Sequence, residues 1–170
     1  MRQLPILFAI FAMSTGAAEF RAIDIGQPCS TVNAWEVAHG STPNVTHADP
    51  PLEVYSYNAE DFGRRITVRY MCHNGKLSSV HSSFPREPWS RAVETYRDVY
   101  NSLKSIHGVP SNGDAPFNEN SNKPVSENHW TTPISVWEVS GTKLVLMIVP
   151  NQPSKPELDE WHVSIGLGSD

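Results

Sequence analysis

Residues 65–84 read RITVRYMCHNGKLSSVHSSF, and this stretch decides the fold. Asn74-Gly75 at its centre is a strong signal for a two-residue hairpin, because a type I′ turn needs φ > 0 at both central positions. Such a loop pairs His73 with Lys76, Cys72 with Leu77 and Tyr70 with Ser79. Ile66, Val68, Tyr70, Cys72 and Leu77 then share one face. Val80 and Phe84 fall on the other face, beside Thr67, Arg69 and Met71. One extra residue near Ser78-Ser79 returns both to the apolar face. The sequence therefore predicts a β-bulge there, since a one-residue slip inverts every side chain beyond it.

Upstream of the hairpin, Leu52–Tyr57 alternates Leu52, Val54 and Ser56 against Glu53, Tyr55 and Tyr57 and reads as a strand. Phe20–Ile25 reads as a short strand broken by Gly26-Gln27-Pro28. Pro28 is a favourable first helical residue, and a helix is expected to His39 with Cys29, Val32 and Trp35 inward. Gly40 and Pro43 end it, and Ser41–Pro51 reads as a loop.

Downstream, Trp89, Val93, Tyr96, Tyr100, Leu103 and Ile106 recur at spacings of three and four, which predicts an amphipathic helix over Pro88–His107. Residues 111–130 are polar, without period, and read as a long loop. Ile134–Ser140, Lys143–Val149 and the alternation Trp161, Val163, Ile165, Leu167 complete the expected strands. KLVLMIV is apolar on both faces and belongs inside a sheet.

Both helices end in His-Gly followed closely by Pro, at His39-Gly40 and His107-Gly108. The expected order is helix, three strands, helix, three strands. The fold expected is α+β: two similar helix-plus-three-stranded antiparallel units, about 20–84 and 85–170, with both helices packed on the sheet.

The first eighteen residues read as a secretory signal peptide: Arg2, an apolar run over Leu4–Met13, then small residues to Ala18. Residues 19–170 form the expected single domain, with no stable membrane anchor and a periplasmic or secreted address. Cysteines in an oxidising compartment most often pair, and Cys29 with Cys72 would pin the first helix to the hairpin; two free thiols are the alternative. Thirteen Lys and Arg stand against eighteen Asp and Glu, a formal charge of −5, which argues against a nucleic-acid partner.

The helix ending in Gly-x-Pro or a near variant, followed by strands and the His73-Asn74-Gly75-Lys76-Leu77 hairpin, resembles the repeat of β-lactamase-inhibitor-like and SmpA/OmlA-type envelope proteins. SmpA-type proteins are lipoproteins, and this chain lacks the lipidated cysteine. The resemblance implies an exported protein that works by binding another secreted or envelope protein.

Chemistry-bearing motifs are sparse. Neither H-x-x-x-H nor C-x-x-C occurs among the seven histidines and two cysteines, so no metal site is expected, and no cofactor. G-x-S-x-G and Gly-rich phosphate loops are absent, and no catalytic residue is assigned. The aromatics give the best binding hint: Tyr55 and Tyr57 on one strand face, Trp161 at the start of the last strand, and Phe117 and Trp130 in or near the long loop. The leading expectation is an exported protein-binding module, inhibitor-like or immunity-like. One alternative is an envelope hydrolase built around sheet histidines such as His73, His81 and His162. The other is a small-ligand carrier with a cavity between helix and sheet.

Overall fold

The structure is a computed structural model that describes residues 21, 23–113, 134–150 and 160–168. Its elements run α1 (Cys29–Ala38), β1 (Thr42–Asp49), β2 (Leu52–Asp61), β3 (Arg64–His73), β4 (Lys76–Ser83), α2 (Trp89–His107), β5 (Ile134–Val139), β6 (Thr142–Pro150) and β7 (Trp161–Gly168). The strands form one seven-stranded antiparallel sheet in the order β1-β2-β3-β4-β7-β6-β5.

The mixed α+β class is therefore correct, but the duplication of helix-plus-three-strand units is not. Four strands follow α1 and three follow α2, and β7 pairs with β4, so the halves share one continuous sheet. Ser41–Pro51 is mostly the edge strand β1 rather than a loop; its residues pair with β2 from Thr42↔Asn58 to Asp49↔Leu52. An edge strand exposed to water needs no apolar alternation, and Thr42–Asp49 has none. The described part of 20–25 lies in no strand.

The β3–β4 hairpin has the shape its sequence requires. Asn74 and Gly75 take φ 51° and 73°. Cys72 pairs with Leu77, but Met71 pairs with Ser79 and Tyr70 with Val80, so Ser78 is the extra residue of a bulge. Val80 and Phe84 accordingly lie in the core, at 1% and 3% exposure. The Ser78 hydroxyl donates to the Met71 carbonyl at 2.8 Å, satisfying an acceptor at the interrupted ladder. Ser78→Ala should lower stability by about 1 kcal/mol, read as a shift of the urea midpoint at unchanged slope.

Both helices cover the same sheet face. α2 lies against β5, β6 and β7 and buries Val93, Tyr96, Val99, Tyr100 and Leu103. The Tyr96 hydroxyl hydrogen-bonds Ser135 Oγ at 2.7 Å, and Trp137 Nε1 donates to the Gly108 carbonyl at 2.9 Å. α1 lies over β2 and β3. A disulfide joins Cys29 to Cys72, and Cys29 N–H donates to the Gly75 carbonyl at 2.9 Å, so the helix start is fixed to the hairpin turn.

Beneath α1 lies an ionic cluster. The fully buried Glu36 carboxylate accepts from Arg21 Nη1 at 2.8 Å and from the Tyr70 hydroxyl. Arg21 is itself buried, its guanidinium 5.5 Å from the Trp35 ring centre and 3.8 Å from Asp61. Burial, reinforced by Glu36, pushes the Tyr70 hydroxyl far above its ordinary pKa.

Candidate functional site

The side chains that alternate with the core residues form the other face of the sheet. Among the described residues neither helix crosses it. Strand register assembles one feature there. Thr42 pairs with Asn58, Asn58 with Thr67, Thr67 with Ser83, and Ser83 with Ser164. Five short polar side chains therefore cross five strands in one row, about 19 Å long at the usual strand spacing. The row continues into Met147 and Ile134, and Ile134 is 46% exposed.

Longer side chains wall this row. Arg69 stands on one side, with His81 its register partner on β4 just outside the groove; Arg65, Arg86 and His162 stand on the other. The walls and floor bound an open groove of about 1010 Å³ that reaches from Gly40 and Thr42 to His162. Arg65 and Arg69 lie four residues apart on β3, about 13 Å along the strand, with Thr67 between them. Both are exposed, and neither has an ion-pair partner among the described residues. Arg86 is 3.9 Å from Glu160 and largely exposed. Of the described lining residues only Glu60 is acidic, so the groove is cationic on a chain of formal charge −5.

A second device shapes the neighbouring row. His81 faces Gly166, where a Cβ would come within 3.3 Å of the imidazole Cε1. The glycine lets the ring lie down across β7.

His162 is half-buried at the end of the groove. Burial first, then the charges of Arg86 and Arg69, lower its pKa below the ordinary 6.5. The unfolded chain takes up this proton more readily than the native one. The associated stability is therefore present above about pH 6.5 and is lost as pH falls from there through the lowered native value. The melting temperature should fall less between about pH 7 and pH 5 in His162→Gln than in the wild type.

The aromatics singled out from sequence do not build this groove. Tyr57 and Trp161 are core residues, 2% and 1% exposed. The Tyr57 hydroxyl donates to Asn33 at 2.9 Å, and Trp161 makes an edge contact with Trp89 at 4.7 Å. Tyr55 is half-buried on the helix side of the sheet and hydrogen-bonds Glu53. Phe117 and Trp130 lie outside the described residues. Strand alternation turns Tyr55 and Tyr57 inward with Tyr70 and Val68, their register partners.

His81 and His162 share the open face but stand four β7 positions apart, about 13 Å, too far to exchange a proton directly. Among the described residues no group of three His, Cys, Asp or Glu side chains is placed to hold a metal ion. The cavity bounded by Ile23, Ile25, Val139, Leu144 and Leu167 measures about 120 Å³, below the few hundred usual for small-ligand sites. The groove residues were legible only as alternation: Arg65, Thr67 and Arg69 occupy the polar phase of β3.

Comparison of the chain with protein-family models, with curated proteins and with solved structures gave no match.

Proposed function

We propose that this protein is an exported protein-binding module, inhibitor-like or immunity-like, that acts by covering part of another secreted or envelope protein. The observation that supports it is the sheet itself. One face carries both helices and the core; the other presents a groove with exposed Arg65 and Arg69, which lack ion-pair partners among the described residues. Arginine is enriched at binding hot spots because its planar fork makes several directed hydrogen bonds. The Cys29–Cys72 disulfide suits an oxidising compartment, and no described helix is long and apolar enough to cross a membrane.

Site-directed cross-linking tests the reading. A photoreactive side chain at Ser83, on the open face, should capture one protein in stoichiometric yield from envelope and secreted extracts. The same group at Asn101, on the exposed side of α2, should not. Equal labelling from both positions, or none from Ser83, would count against this function.

A further inference from the structure

Resting on that reading, we infer that the groove takes an acidic segment of the partner, lying along the Thr42–Ser164 row with carboxylates toward both walls. The argument is charge complementarity joined to shape. The row offers a floor of short hydroxyl and amide side chains, which approach a ligand closely and supply donors, as the Thr67 hydroxyl does to Asn58 Oδ1 at 3.5 Å. Cations rise on both sides: Arg69 on one, Arg65 and Arg86 on the other. A spacing of about 13 Å between the bases of Arg65 and Arg69 is too wide to converge on a single small anion from straight side chains. It suits a chain segment laid between them, since a helix with its side chains is about 10–12 Å across.

The chain's own chemistry favours this occupant over others. An anionic groove would have repelled acidic partners, but here Glu60 is the lone lining acid among the described residues. Among the described residues neither Arg65 nor Arg69 makes an ion pair, and only Arg65 has a carboxylate, Glu60, opposite it across β2 and β3, so Arg69 meets an incoming carboxylate without first giving up an internal one. Beyond the groove the same row turns apolar at Met147 and Ile134, which gives the occupant a direction: an acidic body in the groove with an apolar residue past its β5 end. His162 is held toward the neutral form, so it adds a hydrogen-bonding ring at the wall rather than a fixed charge.

The test uses the full oxidised protein and a poly-L-glutamate peptide as probe, followed by fluorescence anisotropy. Binding should be measurable at low ionic strength and should fade as salt shortens the screening length from about 10 Å toward about 3 Å. R65E/R69E should weaken it at least about tenfold with an unchanged melting temperature, because both side chains are exposed and make no ion pair among the described residues. R65Q/R69Q gives the same comparison without added acids should the reversal disturb the fold. Three results would overturn the inference. The wild type does not bind the peptide at low salt; the double variants bind it as well as the wild type; or a mixed-sequence DNA duplex binds far more tightly than the peptide at equal salt. The Ser83 cross-link separates this inference from the reading beneath it. A partner captured equally by wild type and R65E/R69E removes the acidic segment and leaves the binding module standing. Peptide binding without any captured partner counts against the module alone.

Discussion

Arg21→Met is expected to lower the melting temperature by roughly 10 °C. Glu36 is fully buried, and its Oε1 accepts from Arg21 at 2.8 Å and from Tyr70. Among the described residues its Oε2 has no hydrogen-bond partner, so the carboxylate depends heavily on the guanidinium beside it. Removing one member of a buried ion pair leaves the other charge uncompensated, a loss of about 3–5 kcal/mol. For a domain of this size that corresponds to about 2–4 °C per kcal/mol. Glu36→Gln keeps an acceptor for Tyr70 and removes the charge. The double variant Arg21→Met/Glu36→Gln should therefore be more stable than Arg21→Met alone, and the non-additivity measures the pairing. Equal melting of Arg21→Met and the wild type would show that the pair contributes nothing net.

Replacing Cys29 and Cys72 together by Ser should produce a loss of similar size, about 4 kcal/mol in the chain-entropy description for a sequence separation of 43. The melting temperature should drop by roughly 8–16 °C. This loss should couple to the first. The disulfide fixes the start of α1 to the hairpin, and Glu36 sits two turns further along the same helix, over Tyr70. With the bond removed, Arg21→Met should do less additional damage, because the helix is already less firmly placed. Strict additivity of the two losses would show that the disulfide and the ionic cluster act independently.

The parts of this fold that were readable in sequence are those encoded by near neighbours. Asn74-Gly75 fixes a turn, the phase of Val80 against Leu77 demands a bulge, and α2 carries its buried stripe at a spacing of three and four. The parts that were not readable are set by distant partners. β1 has no apolar phase because its pairing is to backbone on one side only. His39-Gly40 and His107-Gly108 mark where two helices stop, with Gly40 and Gly108 at φ 78° and 80°; such caps say nothing of how strands are ordered, so their likeness carries no repeat of the strands that follow. Arg21 and Glu36 look like ordinary surface charges until tertiary structure brings them together across fifteen residues. The groove is still less local, since its floor exists only when five strands are in register.

The place of β7 between β4 and β6 has a consequence for how the chain assembles as it is made. A nascent chain emerges from its N-terminus, so α1 and β1–β4 can meet while later residues are still being synthesised. β5 and β6 follow as a hairpin, but among the described residues no strand pairing joins it to β1–β4 until Trp161–Gly168 arrives and pairs on both sides. Until that moment β4 and β6 each expose an unpaired backbone edge next to apolar side chains, the condition under which chains stick to one another. The last-made described strand thus closes the sheet, and the interval before it docks is when the two sheet edges stand open to other chains.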